Sequence, residues 1–428
     1  MSAILIFLLA AVLIIPGVVG EAPSVGWQKT YGGAGSDMTW SMIQTADGGY
    51  ALAGESQVGT SGVFYAWLVK TDIYGNASWN QTFEGTFRSV VQTADGGYAI
   101  AGIFNNDFLL VKTDSNGNGL WRRTYDPVKS PENRHTSVAR DYAWSVVQTS
   151  DGCFALAGMT NNNPFEGEDD DVWLVKTDVN GTAVWNQTYA GPDVDYAYDV
   201  VQTSDGGYAI GGGTEISGKQ MEFWLIKTDA SGNALWNKTY GRADTDWLYS
   251  MIQTSDGGFA LAGGYAYGVS AHGGWLVKTD ADGNEQWNKT YGGTFLSLSQ
   301  TVDGGYALAG VISDQGAGGS DFWFVKTDAN GNEKWNMTYG GPGEDRAFSV
   351  VQAADGGYAL SGPTESYGSG SRDFWLIKTD EFGVVPEFPS YFLALLILPL
   401  LAGTLYVKKK LLKRQQNSAF DNWKSAIL

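Results

Sequence analysis

The chain is poor in the residues on which small exported domains and many enzymes depend. It has one cysteine, Cys153, in 428 residues. No disulfide can form within it, so the fold must be held by packing alone. Its two histidines, His135 and His272, are far apart in sequence and form no metal-ligand spacing. No nucleophile elbow and no phosphate-binding loop is present. Positive charge is scarce: 27 Lys and Arg stand against 46 Asp and Glu, a net charge of −19. Six of those basic residues and one acid follow Val407, which leaves 21 against 45, or −24, in the rest. A body that acidic is unsuited to DNA or RNA. Nowhere do apolar residues recur with a helical period, apart from two uncharged runs near the ends.

Glycine and aromatic side chains are abundant instead, with 58 Gly and 14% Phe, Trp and Tyr. They recur in a pattern. The stretch Val200–Gly213, VVQTSDGGYAIGGG, is one of seven copies, marked by Asp47, Asp95, Asp151, Asp205, Asp256, Asp303 and Asp355. The mean period is about 51 residues, which points to a repeat architecture.

In the copy from Ser250 to Tyr291, SMIQT, FALAG, WLVKTD and EQWNKTY read as four short strands. Glycine turns, SDGG and ADGN, join the first pair and the last. The second and third strands are apolar on both faces, so each sheet needs a neighbour on either side. Radial packing of seven such sheets provides that, and the predicted fold is an all-β, seven-bladed β-propeller with four antiparallel strands per blade. The WNxTY strand follows six KTD segments, at Trp79, Trp121, Trp185, Trp236, Trp287 and Trp335, but not the seventh, Lys378–Asp380. A displaced copy, WQKTYGG at Trp27–Gly33, precedes everything else. It is expected to complete the last blade and close the ring, hiding two strand edges at once.

The six D-x-x-G-x-x-x-W segments, from Asp72/Gly75/Trp79 to Asp328/Gly331/Trp335, resemble the tryptophan-docking motif of quinoprotein-type propellers, with one residue fewer before the glycine. The resemblance implies that each Trp wedges between blades. It implies no quinone, because the adjacent cysteine pair of those enzymes is absent. The repeat as a whole, DGGYALAG, FWLVKTD and WNxTYGG over roughly Trp27 to Asp380, resembles surface β-propeller repeats of archaeal and bacterial envelope proteins.

The ends give an address. Residues 1–22 read as a signal peptide and 24–380 as the propeller. Residues 381–390 form a linker, 391–407 a transmembrane helix, and 408–428 a basic cytoplasmic tail opened by KKKLLKR. VPEFPS at Val385–Ser390, followed by the span and the basic cluster, resembles the PEF-type C-terminal sorting signals of archaeal surface proteins. That implies processing and a lipid anchor as the alternative to a permanent span. The expected location is the cell surface.

The DGG and DxxGN turns fall on one face of the ring and the variable loops on the other, where recognition usually sits. On that variable face, Asp37, Asp141, Asp195, Asp246 and Asp345 recur ahead of the first strand's serine, with Trp40 and Trp144 among the aromatics that follow. Carboxylates beside aromatic rings suit a sugar or a divalent cation. The same aspartates also fit the plainer role of capping loop amides. Glu168, Asp169, Asp170 and Asp171 crowd one acidic loop and offer oxygen ligands suited to Ca²⁺, the one cofactor considered. Asp126–Arg140 is a long connection with a basic island. Sequons at Asn80, Asn186, Asn237, Asn288 and Asn336 fall on outer strands, as glycan acceptors would.

The expected function is a monomeric, membrane-tethered binding or adhesion module for a glycan or an envelope protein, with no nucleic-acid partner and with binding favoured over catalysis. The alternatives are a secreted glycan hydrolase or lyase with acids at the channel mouth, and a structural envelope component.

Overall fold

Each DGG turn reverses the chain because its first glycine takes a positive φ, between 79° and 86° across the seven copies, a region that costs other residues strain. The aspartate organises the turn. Asp47 accepts from Thr45 Oγ1 (2.5 Å) and the Gly49 amide (3.1 Å). It also pairs with Lys70 of the KTD segment at 2.8 Å. The same ion pair recurs in all seven blades, down to Lys378–Asp355. The D, the K and the glycines of the repeat are thus parts of one turn.

The computed structural model describes residues 26–385, except 58–61, 128–139, 162–169, 192, 217–219, 243–244, 268–270 and 314. The signal segment 1–22, the span 391–407 and the tail 408–428 lie outside the described residues, as do Glu168 and Asp169 and most of the Asp126–Arg140 connection. Among the described residues no helix is long and apolar enough to cross a membrane.

The described chain forms twenty-eight strands in seven four-stranded antiparallel sheets. The first blade runs Asp37–Gln44, Tyr50–Gln57, Phe64–Thr71 and Ala77–Phe83. The last is split: Ser349–Gln352, Tyr358–Thr364 and Asp373–Thr379 are joined by Trp27–Tyr31 as outer strand. Its register sets Trp27 opposite Lys378 and Thr30 opposite Trp375, as the displaced repeat requires.

The two apolar faces of each sheet do go to two neighbours. Ala51, Ala53 and Leu68 of the first blade pack with Phe87, Val90 and Ile100 of the second. From the same strands, Leu52 and Val69 pack with Phe374 and Leu376 of the last. Each large side chain so buried contributes roughly 1.5–3 kcal/mol, and all the cores lie between blades. At the rim each outer-strand Trp lies over the DxxG glycine of the next blade. A methyl on Gly331 would meet the Trp287 ring at 2.5 Å, and one on Gly75 would meet Trp27 at 2.3 Å. On the turn face, seven glutamines tie each blade to its neighbour, from Ala46 N–H to Gln92 Oε1 (2.8 Å) round to Ala354 N–H to Gln44 Oε1 (3.0 Å).

The inner strands are longer than their sequence suggests. The fifth runs Thr245–Gln253 rather than starting at Ser250. The reason is a bulge, which lets a pattern that breaks the alternation remain in the ladder.

Candidate functional site

Seven inner strands line the axis of the ring. In six of them the pairing register skips one residue: Trp40, Arg88, Trp144, Tyr198, Tyr249 and Leu296 have no partner on the second strand. A bulge re-aims its extra side chain. Here those side chains, with Phe348 of the last blade, turn into the channel and line a cavity of about 350 Å³. The rings touch in sequence: Trp40 and Phe348 lie 4.7 Å apart, Trp144 and Tyr198 5.5 Å, and Tyr198 and Tyr249 5.4 Å.

The next residue of each inner strand forms a second circle: Ser41, Ser89, Ser145, Asp199, Ser250, Ser297 and Ser349. Its oxygens accept backbone N–H groups of the following blade. Val90 donates to Ser41 Oγ (3.2 Å), Val146 to Ser89 (3.2 Å), Val200 to Ser145 (3.3 Å), Val350 to Ser297 (3.1 Å) and Met42 to Ser349 (3.3 Å). At Asp199 a carboxylate replaces the hydroxyl. It accepts from Met251 N–H (3.0 Å), Val200 N–H (2.9 Å) and Ser145 Oγ (3.0 Å). Its edge meets the channel, yet atoms hem it in, and that burial pushes its pKa up to about 6 against the pull of the hydrogen bonds.

Among the described residues, Arg88 is the one cation lining the cavity. Its guanidinium lies over Trp40, 4.1 Å from the ring centre, with Trp144 at 5.4 Å on another side. Glu55 is 3.7 Å away, an ion pair too long to be a hydrogen bond. Nε and Nη1 are buried and make no hydrogen bond. Burial accordingly lowers the guanidinium's pKa, opposed by the charge of Glu55. The Trp144 indole N–H is also buried without an acceptor.

Trp40 and Trp144 both line the cavity, on two sides of Arg88. The five aspartates are not part of the cavity wall. Asp37, Asp141, Asp195, Asp246 and Asp345 are buried at 0–4% exposure between blades, where they hold loops. Asp37 accepts from Gly33 N–H (2.9 Å), Asp246 from Arg242 N–H (2.8 Å) and Asp345 from Gly341 N–H (2.9 Å). Asp195 accepts from Gly191 N–H, and Asp141 from Thr160 Oγ1 at 2.5 Å. Of the acidic loop, Asp170 accepts from Asn161 Nδ2 (3.1 Å) and Asp171 opens a strand. Among the described residues no group of three or more metal-ligating side chains gathers. Asn80, Asn186, Asn237, Asn288 and Asn336 are exposed on outer strands, and four of them accept a Trp indole N–H, as Asn80 does from Trp67 (3.2 Å).

Arg88, Asp199 and the serine circle were not singled out from sequence. The signal existed. In the aligned repeats Arg88 interrupts a column of large apolar residues, and Asp199 interrupts a column of serines.

No family model and no curated protein matches the chain. Solved structures do. BBS1N, solved in complex with ARL6DN, aligns with a TM-score of 0.50 at 10% identity, over 84% of this chain and 98% of that one. Puromycin hydrolase aligns at 0.49 and 14% identity, over 81% of this chain and 54% of its own. Sqt1 from Chaetomium thermophilum, bound to the N-terminus of ribosomal protein L10, aligns at 0.47 and 10% identity, over 82% and 98%. The partners and substrate in those names belong to those proteins. What the likeness to BBS1N carries to this chain is its class, the β-propeller.

Proposed function

We propose that the chain is a cell-surface binding module whose channel takes a glycan bearing a carboxylate, such as a uronic acid unit. The observation that carries this is Arg88, whose buried Nε and Nη1 make no hydrogen bond and which meets Glu55 only at ion-pair distance, beside Trp40 and Trp144. An anionic sugar would satisfy the donors, since guanidinium fits a carboxylate in two-point fashion. Its ring faces would stack on the aromatic wall. Among the described residues one carboxylate, Asp199, lines the cavity, whereas glycoside cleavage ordinarily uses two, which favours binding over hydrolysis. In this reading the span at 391–407 tethers the acidic body outside the membrane, and the exposed sequon asparagines carry glycans.

Titration calorimetry with an oligouronate and with its neutral counterpart tests the proposal. The acidic ligand should bind, and Arg88→Met should weaken it at least about tenfold, the loss of one good charged contact. Equal binding of both ligands, or affinity untouched in Arg88→Met, would overturn it. Release of shortened products would favour the hydrolase instead.

A further inference from the structure

The aspartates at the start of the inner strands have no part in the channel, but four of them sit at backbone junctions next to a second acid. Backbone register is the cause. The N–H of Asp345 donates to the carbonyl of Ser320 (2.6 Å), that of Asp37 to Arg372 (2.8 Å), that of Asp141 to Asn106 (2.7 Å) and that of Asp195 to Asp170 (2.6 Å). Each acceptor immediately precedes an aspartate of the preceding blade's third strand: Asp321, Asp373, Asp107 and Asp171.

At two junctions the carboxylates converge closely. A methyl on Gly340 would lie 1.7 Å from Asp321 Oδ1 and 2.9 Å from Asp345 Oδ2. One on Gly32 would lie 1.8 Å from Asp373 Oδ1 and 2.6 Å from Asp37 Oδ2. Oxygens of two acids therefore face one point, which only a glycine leaves open. Asp321 is 1% exposed and Asp37 0%, and Oδ1 of each makes no hydrogen bond. Their second oxygens are used on loop amides, Ala317 N–H (3.1 Å) and Gly33 N–H (2.9 Å). The nearby arginines are engaged elsewhere, Arg346 with Glu344 (2.8 Å) and Arg372 with Glu365 (2.7 Å). Burial and the charge of its partner raise the pKa of Asp321, and burial and Asp37 push Asp373 up to about 6.

At Asp321 the donorless Oδ1 is itself the oxygen that faces the second acid, whereas at Asp37 the facing oxygen is Oδ2 and the donorless Oδ1 is the other oxygen of that buried carboxylate. A buried carboxylate oxygen with no donor, beside a second carboxylate, is expensive unless something positive lies between them. We propose that the Asp321–Asp345 and Asp373–Asp37 junctions are divalent-cation sites that take Ca²⁺. The donors are hard oxygens, and two carboxylates completed by backbone carbonyls and water suit its flexible coordination better than the rigid octahedron of Mg²⁺. With two acids per site, the affinity should be that of extracellular modules, a Kd of roughly 10⁻⁴–10⁻³ M. The cation would clasp adjacent blades on the variable-loop face, opposite the glutamine belt.

The test uses the full chain purified in detergent. CaCl₂ should raise Tm saturably, MgCl₂ much less, and EGTA should reverse the gain. Equilibrium dialysis with ⁴⁵Ca²⁺ measures binding without reference to stability. The double variant Asp321→Asn/Asp37→Asn should lose both responses. Absence of Ca²⁺ binding by the unaltered chain overturns the proposal and leaves each pair sharing a proton. Full retention of binding in the double variant overturns it too, because the cation would then sit elsewhere.

Discussion

Met42 and Ser349, 307 positions apart in sequence, hold each other at the joint of the ring. The Met42 N–H donates to Ser349 Oγ at 3.3 Å, and that hydroxyl donates to the Met42 carbonyl at 3.1 Å. The contact seals the inner wall where the outer strand Trp27–Tyr31 seals the rim. Removing the hydroxyl leaves a buried amide unpaired, at about 1–3 kcal/mol. Ser349→Ala should therefore lower the urea midpoint measurably. An unchanged midpoint would mean that the inner circle contributes nothing to closure.

The rim makes the opposite kind of prediction, a gain. Six outer strands end in a tyrosine whose hydroxyl donates to a DxxG glycine carbonyl of the next blade, as Tyr240 does to Gly283 at 2.6 Å. The first blade has Phe83 at that place, so the carbonyl of Gly117 lacks this donor. Phe83→Tyr should add about 0.5–1.5 kcal/mol, read as a rise in Tm. A neutral or lower Tm would show that the hydroxyl needs a backbone setting which the first blade does not supply.

Gly331 combines two demands. Its φ is +72°, and a Cβ would strike the Trp287 ring at 2.5 Å. Gly331→Ala should therefore destabilise by more than about 1 kcal/mol, since the added methyl meets both strain and a clash. Denaturant titration followed by tryptophan fluorescence would report the loss together with the displacement of Trp287.

Acid and base act on different parts of the ring. At the turns, partial burial raises Asp47, Asp95, Asp205 and Asp256, but hydrogen bonds from the adjoining lysine and threonine outweigh it and hold them at about 2. Their folded pKa lies below the unfolded value of about 3.9, so this stability is present above pH ~4 and is lost as pH falls toward 2. Asp199 has the reverse sign. Its folded pKa of about 6 exceeds the unfolded value, so the folded state binds more protons and stability declines as pH rises from ~4 through ~6. Asp199→Ser, which restores the hydroxyl of the other blades, should flatten that decline in a Tm-versus-pH series. A slope equal to that of the unaltered chain would place the titration on Asp141 or Asp373, which rise to about 7 and about 6.

Closure of the ring was readable before any coordinates, because a strand with no sheet edge of its own and a sheet with no outer strand have one economical solution. The Trp wedges were expected from the resemblance of the D-x-x-G-x-x-x-W segments to the tryptophan-docking motif. The wall of the channel was only half readable. Trp40 and Trp144 line the cavity, but the burial of the first inner strand alternates only as far as Trp40, after which Trp40 and Ser41 both face the axis. That bulge resets which residues share a face. It leaves Asp37 between blades and brings Arg88 and Asp199, from different repeats, onto one surface.

Sequence by itself determined the repeat, the four strands of each blade, the turn chemistry and the count of seven, because these rest on local periodicity and on glycine's access to positive φ. Only the tertiary structure decided what meets across the axis and across the junctions. Asp321 faces Asp345, and Arg88 lies against both Trp40 and Trp144, through strand registers between blades. No spacing along the chain encodes those distances, since they are set by packing between surfaces that the sequence visits one at a time.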